Sequence, residues 1–223
     1  LIKVSNYTPN EEALKLLASY KPGIAEYEKQ EIGVISEIDL TTPRTTETST
    51  ESVRKNETIL GNLITNGMLA KARETAPSKD IIFAVQNGGG IRTSIPAGPI
   101  TVGHVKTVLP FANTLAIVDL TGEEIKAMFE HSVGVLPGEN GGFLHVAGAK
   151  VTYDSSLPTG ERVVSVEYLN KDGEYVAVTF DSTVYTIASN AFTIKGGDGY
   201  AMLKKAYDEG RATDFGSVDS DNF

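Results

Sequence analysis

Cysteine is absent from the 223 residues, which removes disulfides, thiol nucleophiles and thiolate-bound zinc without fixing the redox compartment. Histidine is scarce. His104, His131 and His145 are scattered and form no H-x-H, H-E-x-x-H or H-x-E pattern, so no metal site is expected from this chain's own residues. No apolar run is long enough to cross a bilayer, and no membrane span is expected. Lys and Arg total 20 against 29 Asp and Glu, a net charge of −9. The bases form no run, so nucleic acid is not an expected partner. An anionic ligand would have to be met by a few placed arginines against this unfavourable background. The nucleophile elbow G-x-S-x-G and the P-loop spacing are missing as well. Residue 1 is Leu, and no charged segment leads into an apolar stretch. No signal peptide is therefore visible, and a longer parent polypeptide is expected.

What is present is ordinary globular composition, 40% hydrophobic and 22% charged, in a chain long enough to bury a core without metal or disulfide staples. Residues 9–31 read as helix in two pieces, broken at Pro22–Gly23. "IGVISEIDL" reads as a strand, and "TTPRTTETSTES" as a loop by composition. Ser52 is a candidate N-cap for a helix over 53–73 with Leu60, Leu63, Ile64 and Met68 on its core face. "DIIFAVQ" suits a buried strand and runs into "NGGGIRTSIPAG". A short helix is expected near 102–108. "TLAIVDL" is a strand, and Thr121 with Glu124 has capping-box spacing for the helix "GEEIKAMFEHSV". Further on, "FLHVAGAKVTYD", "ERVVSVEYL" and "YVAVTFDSTVYTIAS" read as strands, and "YAMLKKAYDEG" as a helix ending at Gly210. The expectation is an α/β (mixed α+β) layered domain: a mixed sheet with flanking helices, behind a helical segment.

Taken singly, the candidate motifs have plain structural readings. "NGGGIRTS" (87–94) could bring backbone N–H groups and Arg92 to an anion, or could simply be a glycine turn with a solvated arginine. "GGDG" (196–199) lacks dinucleotide-binding spacing, and Asp198 could cap the helix that begins near Gly199 or Tyr200. Phe111 and Phe192 are core residues by default. His131 beside Glu130 reads as structural, and Asp39, Asp119 and Asp154 as turn or cap residues at strand ends. By its chemistry alone, the chain is a binder without catalytic equipment.

Four segments in order, "SVRKNETILGNL", "NGGGIRTSI", "VLPFANT" and "NAFTIKGGDGY", resemble the C-terminal domain of the 5′-nucleotidase family. That family includes UDP-sugar hydrolases and 2′,3′-cyclic-nucleotide phosphodiesterases. "TGEEIKAMFEHSV" and "GGFLHVAG" extend the resemblance, which runs from about Pro9 to the end. It implies a division into an interdomain linker helix segment (1–31) and a nucleotide-binding domain (32–223). The partners implied are a nucleotide or nucleoside and an N-terminal metallophosphoesterase domain of the same polypeptide, which would hold two divalent metal ions. This chain would carry no cofactor and no catalytic residue, and would be inactive alone. Carried over by motif, Arg54 and Arg92 would contact the substrate phosphate and Asn87 the base. Phe111 and Phe192 would stack on the base, Asp198 would accept from the ribose hydroxyls, and Gly89 and Gly141 would line the pocket. The chain departs from the family pattern in four places, one of them its last stretch, "DFGSVDSDNF", where a final helix is usual in the family. The Gly-Asn-His-Glu/Asp type of metal motif is absent, Ala191 separates Asn190 from Phe192, and Ile59 replaces an asparagine. An extracellular, cell-wall or periplasmic setting is implied by the family habit alone. A stand-alone nucleotide-binding module without catalysis is the alternative reading.

Overall fold

The computed structural model describes residues 7–47 and 50–221. Its first helix, α1 (Glu11–Glu28), is capped by Asn10, whose side chain accepts from the Ala13 amide at 2.9 Å. It is one helix, not the two expected, and Pro22 lies inside it. The ring holds φ near the helical value, but it removes one N–H and crowds the carbonyl of Ala18, four residues earlier. The carbonyl freed by that loss lies on an exposed helix, where water can satisfy it. β1 (Glu31–Ser36) pairs antiparallel with β3 (Gly98–Thr101) in a small two-stranded sheet.

The main sheet has five strands in the order β10-β4-β9-β2-β5. These are β10 (Ala212–Val218), β4 (Thr114–Thr121), β9 (Val184–Asn190), β2 (Ile81–Asn87) and β5 (Leu144–Ala147). Only β2 and β9 pair in parallel; the other neighbours are antiparallel, so the sheet is mixed as expected. Both faces are buried, and along β4 the two cores alternate. Leu115 and Ile117 join a cluster containing Leu60, Ile64 and Met68 of α2 (Ile59–Thr75) and Val105 of α3 (Val102–Val108). Ala116 and Val118 join Ile125 and Met128 of α4 (Gly122–Val133) and Leu203 of α6 (Ala201–Asp208). A third sheet, β6 (Ala149–Tyr153), β7 (Val163–Leu169) and β8 (Tyr175–Ala177), flanks the second cluster through Val163 and Val166. A single-turn helix, α5 (Ala191–Ile194), follows β9 directly. No helix of the described residues is long and apolar enough to cross a membrane.

Several boundaries differ from expectation. The helix expected from 53 begins at Ile59, where Thr58 is the N-cap and accepts from the Gly61 amide at 3.1 Å. Ser52 instead closes a separate turn, its carbonyl accepting from the Lys55 and Asn56 amides at 3.0 and 2.8 Å. Leu63 faces solvent. "FLHVAGAKVTYD" is two strands of different sheets, divided where Gly148 turns at φ 82°. "YVAVTFDSTVYTIAS" likewise divides into β8 and β9. The capping box of α4 forms as read: the Glu124 amide donates to Thr121 Oγ1 at 3.2 Å, and the Thr121 amide to Glu124 Oε2 at 3.0 Å.

Candidate functional site

Four adjacent strands deliver their loops to one end of the main sheet. β2 and β9 run towards that end and finish in Asn87 and Asn190. β4 and β5 run the other way, so the segments that precede them, Phe111–Asn113 and Gly141–Phe143, lie at the same end. The loops are laced together: the Gly88 amide donates to the Phe143 carbonyl at 2.8 Å, and the Gly89 amide to that of Gly141 at 2.7 Å. Between them opens a cleft of about 470 Å³, lined by Arg54, Asn87, Gly89, Arg92, Phe111, Gly141, Phe192 and Asp198, with Gly90 and Asn113 completing it. All eight residues named from the sequence therefore meet in one place, in a volume usual for small-molecule sites.

The two aromatics are not core residues. Phe111 is 55% exposed and Phe192 44%, which leaves ring surface free on opposite loops. Ala112, next to Phe111, sits at φ 51°, a conformation costly for a residue with a Cβ and often held at ligand sites. Phe192 lies against Gly197: a Cβ there would come within 2.4 Å of the ring. That close approach, beyond any turn requirement, explains one glycine of "GGDG".

Asp198 does not cap α6, whose N-cap Tyr200 has no side-chain cap bond. It sits at φ 53°, where Asn and Asp are tolerated better than most residues. Two contacts hold it there. Asn87 Nδ2 donates to its carboxylate at 2.7 Å. His131 Nε2 lies 2.8 Å from its carbonyl, and because a carbonyl only accepts, that nitrogen carries the proton. Asn87 is itself fixed from below. Asn190 Nδ2 donates to Asn87 Oδ1 at 3.0 Å and to Gln86 Oε1 at 2.9 Å, while Asn190 Oδ1 accepts from the Thr193 amide at 2.9 Å and caps α5. Asn190, given no role in the sequence, is thus the buried support beneath Asn87 and Asp198.

The two arginines of the cleft have one more charged neighbour than the motifs indicated. Arg44, from the Thr-rich loop, donates to the Ile91 carbonyl at 2.6 Å. Burial, and then the charges of Arg54 and Arg92, hold its pKa below the usual arginine value. Three guanidiniums therefore share this corner. Arg92 donates to the Gly89 carbonyl at 3.1 Å and lies 5.3 Å from the centre of the Phe111 ring. The buried Nε of Arg54 has no hydrogen-bond partner. Such a cluster has unspent donors and mutual repulsion, and an anion would relieve both. The loop composition around Arg44 carried no signal for it. Among the described residues, no group of three or more His, Asp or Glu side chains could hold a metal ion.

Fold and sequence together define the class. Residues 31–205 match the model of the 5′-nucleotidase, C-terminal domain, and the chain belongs to that family. It is 38% identical over 214 residues to the trifunctional nucleotide phosphoesterase protein YfkN of Bacillus subtilis, covering 96% of this chain and 14% of that protein. It is 36% identical over 165 residues to the human 5′-nucleotidase, covering 70% of this chain and 29% of the relative. The solved 5′-nucleotidase precursor of Thermus thermophilus superposes with a TM-score of 0.80 at 41% identity, over 96% of this chain and 40% of that one. The chain therefore spans well under half the length of each of these relatives.

Proposed function

We propose that this domain is the nucleotide-binding part of a phosphoester hydrolase, and that it positions substrate for a separate N-terminal domain holding two divalent metal ions. Residues 1–31 would link the two, and an extracellular, cell-wall or periplasmic setting follows from the family. The observation that carries the reading is the convergence of two exposed phenylalanines, a fixed carboxylate and two arginines on one cleft. Phe111 and Phe192 take the faces of the base. Asp198 accepts from the ribose hydroxyls, since one carboxylate can take two hydrogen bonds from a cis-diol. Arg54 and Arg92 match phosphate oxygens with their forked donors. Asn87 has one Nδ2 hydrogen committed to Asp198 and a second free for the ligand. The contribution to catalysis is orientation of the phosphorus relative to groups the cleft does not contain.

Calorimetric titration with adenosine and AMP tests this. Both should bind, and Phe111→Ala or Phe192→Ala should each weaken adenosine by roughly tenfold, the scale of one lost base–aromatic stack. Arg92→Ala should weaken AMP and spare adenosine. No binding of either ligand at millimolar concentration would sink the assignment. Phosphate release from AMP with added Mn²⁺ or Zn²⁺ should stay at background.

A further inference from the structure

We infer that His145 is a positioning residue, which sets the guanidinium of Arg54 in the cleft by gripping the peptide that precedes it. His145 lies on β5, is 1% exposed and does not line the cleft. Its Nε2 is 2.9 Å from the Val53 carbonyl oxygen. That oxygen belongs to the Val53–Arg54 peptide plane, so the bond fixes the orientation from which the Arg54 side chain departs. The rest of this short segment is pinned too. The Val53 amide donates to the Pro43 carbonyl at 2.7 Å, and the Arg54 carbonyl accepts from the Asn140 amide at 3.0 Å. Among the described residues His145 supplies the one side-chain donor to this peptide, from the main sheet, while the peptide's own N–H, the Arg54 amide, donates to Ser52 Oγ at 3.2 Å.

The environment dictates the form of the imidazole. A carbonyl can only accept, so Nε2 carries the hydrogen. Nδ1 has no partner and lies against the first turn of α2, where a Cβ on Gly61 would come within 2.1 Å of it. A second proton would meet no acceptor there. Burial accordingly holds the pKa of His145 below the ordinary histidine value, and the ring stays neutral. The same contact accounts for Gly61. Glycine inside a helix costs about 0.5–1 kcal/mol relative to alanine, and here the missing Cβ is the space that the ring occupies.

The role rests on the nucleotide reading only for the identity of the anion that Arg54 meets, and the test separates the two. Glutamine carries its amide nitrogen about where Nε2 lies, whereas asparagine carries it near Nδ1, too short to reach Val53. His145→Gln should keep the ratio of AMP to adenosine affinity within about threefold of the parent, and His145→Asn should lower it by about tenfold, the scale of one misplaced charge-assisted contact. Independently of any ligand, amide exchange at Arg54 should accelerate in the Asn variant relative to core amides such as Val85, and should not in the Gln variant. Nitrogen chemical shifts of the parent chain at pH 7 should show a neutral ring protonated at Nε2, a readout that needs no variant to fold. If the parent binds neither ligand, the nucleotide reading fails while exchange and shifts still decide this one. Equal loss of both ligands in the Asn variant, unchanged Arg54 exchange, or a ring protonated at Nδ1 would overturn the role of His145.

Discussion

Asp198 shows how much structure one cleft-facing carboxylate requires. It occupies a left-handed backbone conformation, its side chain is held by Asn87 and its carbonyl by His131. His131 in turn stacks edge-on against Tyr200 at 4.6 Å, and Tyr200 is fully buried, its phenol donating to the Gly142 carbonyl. A buried carboxylate, Asp219, sits behind the cleft: its amide donates to the Asn113 carbonyl at 2.7 Å. Burial pushes the Asp219 pKa up to about 6, above the 3.8 of the ordinary group. A carboxyl whose folded pKa is raised costs stability as pH climbs, beginning near the unfolded value and complete once the folded value is passed. Asp219→Asn should therefore leave stability nearly unchanged at pH 4 and raise it at pH 7.5 by on the order of 3 kcal/mol, from about 1.4 kcal/mol for each pKa unit between 3.8 and about 6. Asparagine keeps an oxygen for the Ser220 amide that Asp219 now holds at 2.8 Å. Denaturant unfolding at both pH values checks this, and a difference that does not change with pH would refute it.

At the scale of elements, Glu124 joins two structures by two chemistries. It closes the capping box of α4, and it receives the Arg211 guanidinium through two contacts of 2.8 Å. The hydrogen bonds from Arg211 come first in holding its pKa below the usual carboxylate value. Stability from such a group is present at neutral pH and is lost as pH falls through the folded pKa. Glu124→Gln should cost about 1–3 kcal/mol at pH 7, since the pair is bidentate and both side chains are partly buried, and the deficit should shrink below pH 4. Unfolding midpoints across that range decide it. This cap was legible because it needs only Thr and Glu three residues apart. β2 and β4 were legible because both faces are buried, so each carries an apolar run, Ile81–Val85 and Leu115–Val118. β10 was not: it is an edge strand, and Thr213, Asp214 and Ser217 give it no apolar run, although it extends the sheet from β4. Ser52 and Thr58 are equally good caps by type, and only packing chose between them. The eight cleft residues were legible through motif resemblance. Arg44, Asn190 and His145 were not, because their roles exist only once distant segments meet.

Across the whole molecule, stability is concentrated in the five-stranded sheet with its two cores, and α1 stands outside it. No residue of α1 is buried, and Leu14, Leu16, Leu17, Tyr20, Ile24 and Tyr27 are all exposed. The helix is tethered chiefly at its C-terminal end, where the Val102 amide donates to the Gln30 carbonyl at 2.9 Å and Gly103 packs against Glu28. An 18-residue helix that has Pro22 inside it and buries no side chain is marginal, because most helical stability in proteins comes from packing. Amides of α1 should therefore exchange orders of magnitude faster than those of β2, β4 and β9, which open only with global unfolding. Leu16→Ala or Leu17→Ala should change the unfolding free energy by less than about 0.5 kcal/mol. Leu60→Ala, which empties a fully buried position, should cost about 2–5 kcal/mol. Comparable losses at Leu17 and Leu60, or α1 amides as slow as those of β9, would show that the chain on its own already buries a face of this helix.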